Sequence, residues 1–173
     1  MDVAFLVSKE GIEQAELTEP WKAVEHAGHN PQLISPEPGK VQAFHHLDPA
    51  DSFTVDMTVA DARAGDFGAL VLPGGVANGD LLRWQPEAVE FVREFAALGR
   101  PIAVICHGGW VLIEAEAVSG KRLTSWPSLR TDFRNAGATW VDEPLVVDGN
   151  LISSRKPDDL PMFNQALTEA LDR

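Results

Sequence analysis

The chain carries a single cysteine, Cys106, in 173 residues. An intramolecular disulfide is thereby excluded, and so is a zinc site built from several thiolates. No apolar run approaches the roughly 18–20 residues that a membrane-spanning helix requires, so no membrane span is expected. Basic residues are few: 14 Lys and Arg stand against 26 Asp and Glu, a net charge of −12. Such a surface repels phosphate backbones and anionic lipid heads, and no dense basic patch offsets it. Neither nucleic acid nor a membrane is an expected partner. Met1–Ser8 has no basic n-region and only a short apolar stretch, which points to a cytoplasmic protein rather than a secreted one. Internal repeats, low-complexity tracts and linkers are also missing. A length of 173 residues with 45% hydrophobic content suits one domain, 1–173, with its own core.

What is present is an alternation of short apolar runs and amphipathic stretches. Val3–Val7, Gln32–Ser35, Ala69–Leu72 and Ile102–Ile105 read as buried strands. Helices are expected from about Ile12 to Ala27, kinked or split at Pro20, and over Pro86–Leu98, where Val89, Val92, Phe95 and Ala96 share a face. A short helix is expected over Val59–Ala64, a buried one over His107–Val118, and another over Asp132–Ala136. The last helix runs from about Asp158 to Leu171 with a stripe of Leu160, Phe163, Leu167 and Leu171. Val41–Phe44 with Phe53–Val55 suggests a small hairpin, and Asp148-Gly149-Asn150 marks a second between Leu145–Val147 and Leu151–Ser153. Strands alternating with helices imply an α/β fold: a doubly wound, mostly parallel sheet with helices on both faces, plus a small β-hairpin.

Ligands of open parallel sheets bind beyond the carboxyl ends of the strands. Three strand-to-helix junctions fall there: Ser8–Glu16, Gly74-Gly75, and Cys106-His107-Gly108-Gly109. At a helix start the free N–H groups and partial positive charge favour a thiolate. The Cys106 junction therefore reads as a nucleophile elbow with Cys in the place of Ser. The backbone N–H groups of His107 and Gly75 are candidate oxyanion donors. His107 is either a base or a lining residue. Spacing alone does not choose among Glu10, Glu13 and Glu16 as a pocket carboxylate, which helps a thiolate only when protonated. His45-His46 has no partner set for a metal, and no metal site and no cofactor are expected. His26 and His29 read as capping or surface groups.

Together these residues resemble the PfpI family, the intracellular-protease and deglycase branch of the class I glutamine-amidotransferase-like superfamily. Nearly the whole chain carries the resemblance: Gly11–Leu17, Ala69–Gly75, Ile105–Gly108, Asn135–Ala138, Val146–Asn150 and Ser153–Leu160. It implies that Glu13 is the pocket carboxylate hydrogen-bonded to the Cys106 sulfur, and that Gly75 and His107 donate to the oxyanion, with Gly74 and Gly108 lining the turn. It also implies a third carboxylate following the double glycine and supplied by a neighbouring subunit, for which Asp80 is the candidate in a loop one residue longer than usual. A homo-oligomer, dimer or hexamer, is expected on the same ground. Gly109-Trp110 departs from the family's usual residues after the Cys-His-Gly run; Trp110, with Trp126, either reshapes the pocket or is a core aromatic.

The expected activity is cysteine-dependent hydrolysis of small carbonyl compounds or early glycation adducts, with Cys106 as the nucleophile. Peptidase activity is one alternative, and a non-catalytic sensor working through Cys106 oxidation is another. A glutaminase needs a histidine well after its cysteine, and none follows His107.

Overall fold

A computed structural model describes all residues, 1–173. In chain order the elements are β1 (Asp2–Leu6), β2 (Glu10–Glu13), α1 (Gln14–His26), β3 (Asn30–Ser35), β4 (Lys40–His45), β5 (Asp48–Thr54) and β6 (Met57–Thr58). There follow β7 (Ala69–Leu72), α2 (Val76–Arg83), α3 (Pro86–Ala97), β8 (Ile102–Ile105), α4 (Trp110–Glu114) and β9 (Arg122–Leu123). The chain ends with α5 (Arg130–Asn135), β10 (Thr139–Trp140), β11 (Val146–Asp148), β12 (Leu151–Ser154) and α6 (Leu160–Leu171).

Seven strands form the central sheet in the order β11-β12-β8-β7-β1-β3-β6. All neighbours are parallel except the β11–β12 hairpin at one edge. The expected doubly wound architecture is what the chain adopts. Strand β1 shows why. Val3 and Phe5 face one core, with Leu17 and Val24 of α1 and Phe163 and Leu167 of α6. Ala4 and Leu6 face the other, with Val89, Val92 and Phe95 of α3. A strand segment covered on both faces must be apolar at every position, so β1 from Val3 onward, β7 and β8 read as unbroken apolar runs. Phe163 is wholly buried on α6. Phe163→Ala is expected to lose about 3–5 kcal/mol of stability, measured by urea denaturation.

Several elements differ from the sequence expectation. The first helix starts at Gln14, because Glu10–Glu13 instead forms β2, parallel to β4. With β5 this makes a three-stranded sheet in place of a bare hairpin. Pro20 does not split α1; its missing N–H leaves one helical bond unmade within a single helix. Val59–Ala64 forms turns rather than a helix, followed by a 3₁₀ turn at Ala64–Asp66. The expected helix from His107 to Val118 is a 3₁₀ turn over Cys106–Gly109 and then the short α4. Helix α2 replaces the expected loop Val76–Asp80. Asn78 and Gly79 look like turn formers there, but both serve packing: Gly79 lies so close to the His107 carbonyl that a β-carbon would not fit.

Candidate functional site

The chain order reverses between β1 and β7: β3 and β6 extend one side, β7, β8 and β12 the other. This switch point places the ends of β1, β7 and β8 around one crevice. Cys106 leaves β8 with φ +60, a left-handed conformation that a side-chain-bearing residue rarely adopts. A strained residue at a strand-to-helix turn has the geometry of an elbow, which sets its side chain at the crevice. Cys106 is 8% exposed.

Gly74 and Gly75 form the facing wall. A β-carbon on Gly74 would strike Glu16 Oε2 and come within 2.6 Å of Cys106 Cβ. On Gly75, at φ +97, it would strike the Gly11 carbonyl and come within 2.7 Å of the Glu13 nitrogen. Both positions therefore require glycine. The backbone N–H groups of Gly75 and His107 lie close enough to the Cys106 sulfur to favour its charged form. Gly108 is packed with no room for a β-carbon, which would lie within 2.6 Å of the Pro73 carbonyl oxygen. Its place is thus tight packing on the end of β7.

The carboxylate at the sulfur is Glu16, not the Glu13 implied by resemblance. Glu16 is wholly buried on the inner face of α1, in line with Leu17, Pro20 and Val24. Glu13 ends β2, is half-buried, and its Oε2 accepts a hydrogen bond from the His46 N–H at 3.0 Å. Burial, reinforced by the nearby Glu13 charge, pushes the Glu16 carboxyl up to about 8. The Cys106 thiol and the Gly74 backbone lie close enough to offset part of this. Neither Glu16 oxygen closes a well-formed hydrogen bond, so these are electrostatic approaches rather than full bonds. Burial and the Glu16 charge raise the thiol in turn, while the Gly75 and His107 N–H groups pull it down. Two adjacent acids that disfavour each other's charge ionise as a pair, one proton at a time.

His107 Nδ1 lies 3.2 Å from the Cys106 sulfur. Its ring sits between two tryptophans: Trp110 edge-on at 5.1 Å and Trp126 near-parallel at 6.0 Å, centroid to centroid. Burial lowers its pKa to about 4. The imidazole is therefore neutral near pH 7 and a weak base. Trp110 is fixed by its Nε1–H, which donates to Asp132 Oδ2 at 2.9 Å, and by the Arg83 guanidinium 4.3 Å over its ring. Trp126, 39% exposed, forms the outer edge of the site, and its backbone N–H donates to the Cys106 carbonyl.

Asp80 is not brought to this chain's own thiol. It lies exposed on α2, where its Oδ1 accepts from Arg83 Nε and Nη2 at 3.1 and 2.7 Å. His45 and His46 are exposed at the end of β4, and His29 bridges the N-terminal amine and Asp172.

A strained cysteine at a strand–helix elbow, faced by two aimed N–H groups and a buried carboxyl, defines a thiol-centred site on a doubly wound sheet. The comparisons place it within a family. Residues 1–170 match the model of the DJ-1/PfpI family, and the chain belongs to that family. It is 39% identical over 160 residues to the deglycase PfpI of Pyrococcus furiosus, covering 92% of this chain and 93% of that protein. It is 39% identical over 163 residues to the putative cysteine protease YraA of Bacillus subtilis, covering 94% of each. Among solved structures it superposes on a two-domain protein of Anabaena variabilis with DJ-1/ThiJ/PfpI-like and ferritin-like domains. There the TM-score is 0.93 at 36% identity, over 99% of this chain and 50% of that one. No helix of this chain is long and apolar enough to cross a membrane.

Proposed function

We propose that the chain is a cysteine-dependent enzyme acting on small carbonyl compounds or their early glycation adducts. The observation that carries this reading is the enclosure of the nucleophile: Cys106 and His107 are 8% and 6% exposed, behind Trp110 and Trp126. A small aldehyde or ketone fits such a setting better than an extended peptide, which needs an open groove.

The sulfur adds to the carbonyl carbon, forming a C–S bond as the C=O π pair moves onto oxygen. The Gly75 and His107 N–H groups hold that oxygen. Glu16, protonated below about pH 8, gives its proton to the oxygen and recovers one from the thiol, so atoms and charge balance. The neutral His107 imidazole holds the sulfur in place from Nδ1. The acidic, basic-poor surface fits a cytoplasmic protein acting on small molecules rather than on nucleic acid or membranes.

Purified chain incubated separately with methylglyoxal, a methylglyoxal-treated amino acid and a casein-type peptide tests this. Consumption of the first or release of free amine from the second is expected. Cleavage of the peptide alone would replace the reading with a peptidase. No turnover of any of the three, with ready Cys106 oxidation by peroxide, would replace it with a redox sensor.

A further inference from the structure

We propose that Asn78 is the positioning residue of the oxyanion site: its side chain fixes the Gly74–Gly75 peptide so that the Gly75 N–H faces the Cys106 sulfur. Asn78 is polar yet wholly buried. A buried amide is retained at a cost unless it is hydrogen-bonded. Here Oδ1 accepts from the Ser8 N–H at 2.8 Å, while Nδ2 donates to the Pro73 and Gly74 carbonyls at 3.0 and 3.1 Å. The amide orientation is unambiguous: an N–H can only donate to it, and the two carbonyls can only accept from it. One side chain thus ties the end of β1 to the turn after β7.

The consequence follows from peptide geometry. Gly74 C=O and Gly75 N–H belong to one planar trans unit and point in opposite directions. The Gly74 oxygen is held by Asn78 Nδ2 and by the Glu13 N–H at 3.3 Å. With the oxygen pinned there, the N–H is turned to the opposite side, toward Cys106, whose thiolate it favours. Glycine on both sides makes a flipped peptide sterically accessible. A flip would aim the Gly74 carbonyl at a thiolate or an oxyanion and repel both. The glycines that the close packing demands thus create a freedom that Asn78 removes.

Asn78→Asp keeps the shape but sets an acceptor against the two carbonyls. The readouts are the pH profile of iodoacetamide alkylation of Cys106, kcat and KM on the carbonyl substrate, and the thermal midpoint. The alkylation midpoint is expected to move to higher pH. kcat is expected to fall by about 10²-fold, the usual effect of losing one oxyanion donor, with KM within roughly threefold because the donor acts on the transition state. Asn78→Ala, which removes the donor without adding an acceptor, gives a smaller shift of the same sign and serves if the Asp variant does not fold. Folded variants with an unchanged alkylation profile and an unchanged kcat overturn the proposal. So does a stability loss with an unmoved alkylation profile, which marks a purely structural role. The kinetic arm rests on the proposed carbonyl chemistry but the alkylation arm does not. A wild type inactive on carbonyls would thus sink that reading while alkylation still decides this one.

Discussion

Cys106→Ala is expected to lower turnover of the proposed carbonyl substrate by on the order of 10⁴-fold or more, because it removes the sulfur to which the proposed chemistry assigns the covalent bond. No second thiol can substitute, since Cys106 is the one cysteine of the chain. The Gly75 and His107 donors and Glu16 remain, so what survives is binding and a polarised carbonyl without a nucleophile. Cys106→Ser separates nucleophilicity from shape. A hydroxyl needs a stronger base than a thiol does, and His107, with a pKa lowered to about 4, is too weak to supply one. A loss of at least about 10³-fold is expected for the serine variant too. Both variants should fold, because either side chain fits the sulfur's volume and the left-handed φ is unchanged. Steady-state kinetics with a thermal melt on each protein checks this. Full turnover by folded Cys106→Ala would remove the sulfur from the mechanism.

The architecture was legible because its burial leaves a plain trace. Ala69–Leu72 and Ile102–Ile105 are strands with the boundaries expected from their apolar runs. The stripe Leu160, Phe163, Leu167 and Leu171 is the buried face of α6. What sequence alone did not show are elements whose residues serve contacts across the chain. Glu10–Glu13 has no strand pattern of its own; it is extended because it pairs with β4 and its backbone reaches Gly74. Asn78-Gly79 reads as a turn because both residues disfavour helices. The helix forms there because Asn78 is needed for three hydrogen bonds and Gly79 for contact with His107.

At the site, the elbow cysteine and its facing glycines follow from short-range pattern, and the structure brings them together. The carboxylate needed one more step. Leu17, Pro20 and Val24 mark the inward face of α1, and Glu16 lies one turn before Pro20 on that same face. Helical spacing does not choose, because Glu13 stands one turn before Leu17 just as Glu16 stands one turn before Pro20. Resemblance favoured Glu13, and what decides against it is the pairing of Glu10–Glu13 with β4, which ends the strand at Glu13 and starts the helix after it. Asn78 left no comparable signal, since a buried amide and an exposed one look the same in sequence.

Glu16→Gln and Glu13→Gln should separate sharply. Glutamine at 16 keeps the size and an N–H donor but cannot pass a proton, so kcat is expected to fall by roughly 10²–10⁴-fold, the range for a lost general acid–base. Glu13→Gln removes a charge that is not at the sulfur, and less than about a tenfold change is expected. The pH dependence gives an independent check. Glu16 has its pKa raised from 4.5 to about 8 in the folded chain, first by burial and then by Glu13. The wild-type rate should therefore fall as pH passes through about 8 and Glu16 loses the proton it must give. Stability follows the same group. A carboxyl raised on folding favours the fold below its unfolded pKa, and that advantage is lost as pH rises through the window from 4.5 to about 8. Glu16→Gln should thus flatten the decline of the thermal midpoint across that window, and Glu13→Gln should leave most of it. A Glu16→Gln protein with wild-type kcat and an unchanged midpoint profile would show that the buried carboxyl neither carries the proton nor sets the pH response, and would return the role to Glu13 or to His107.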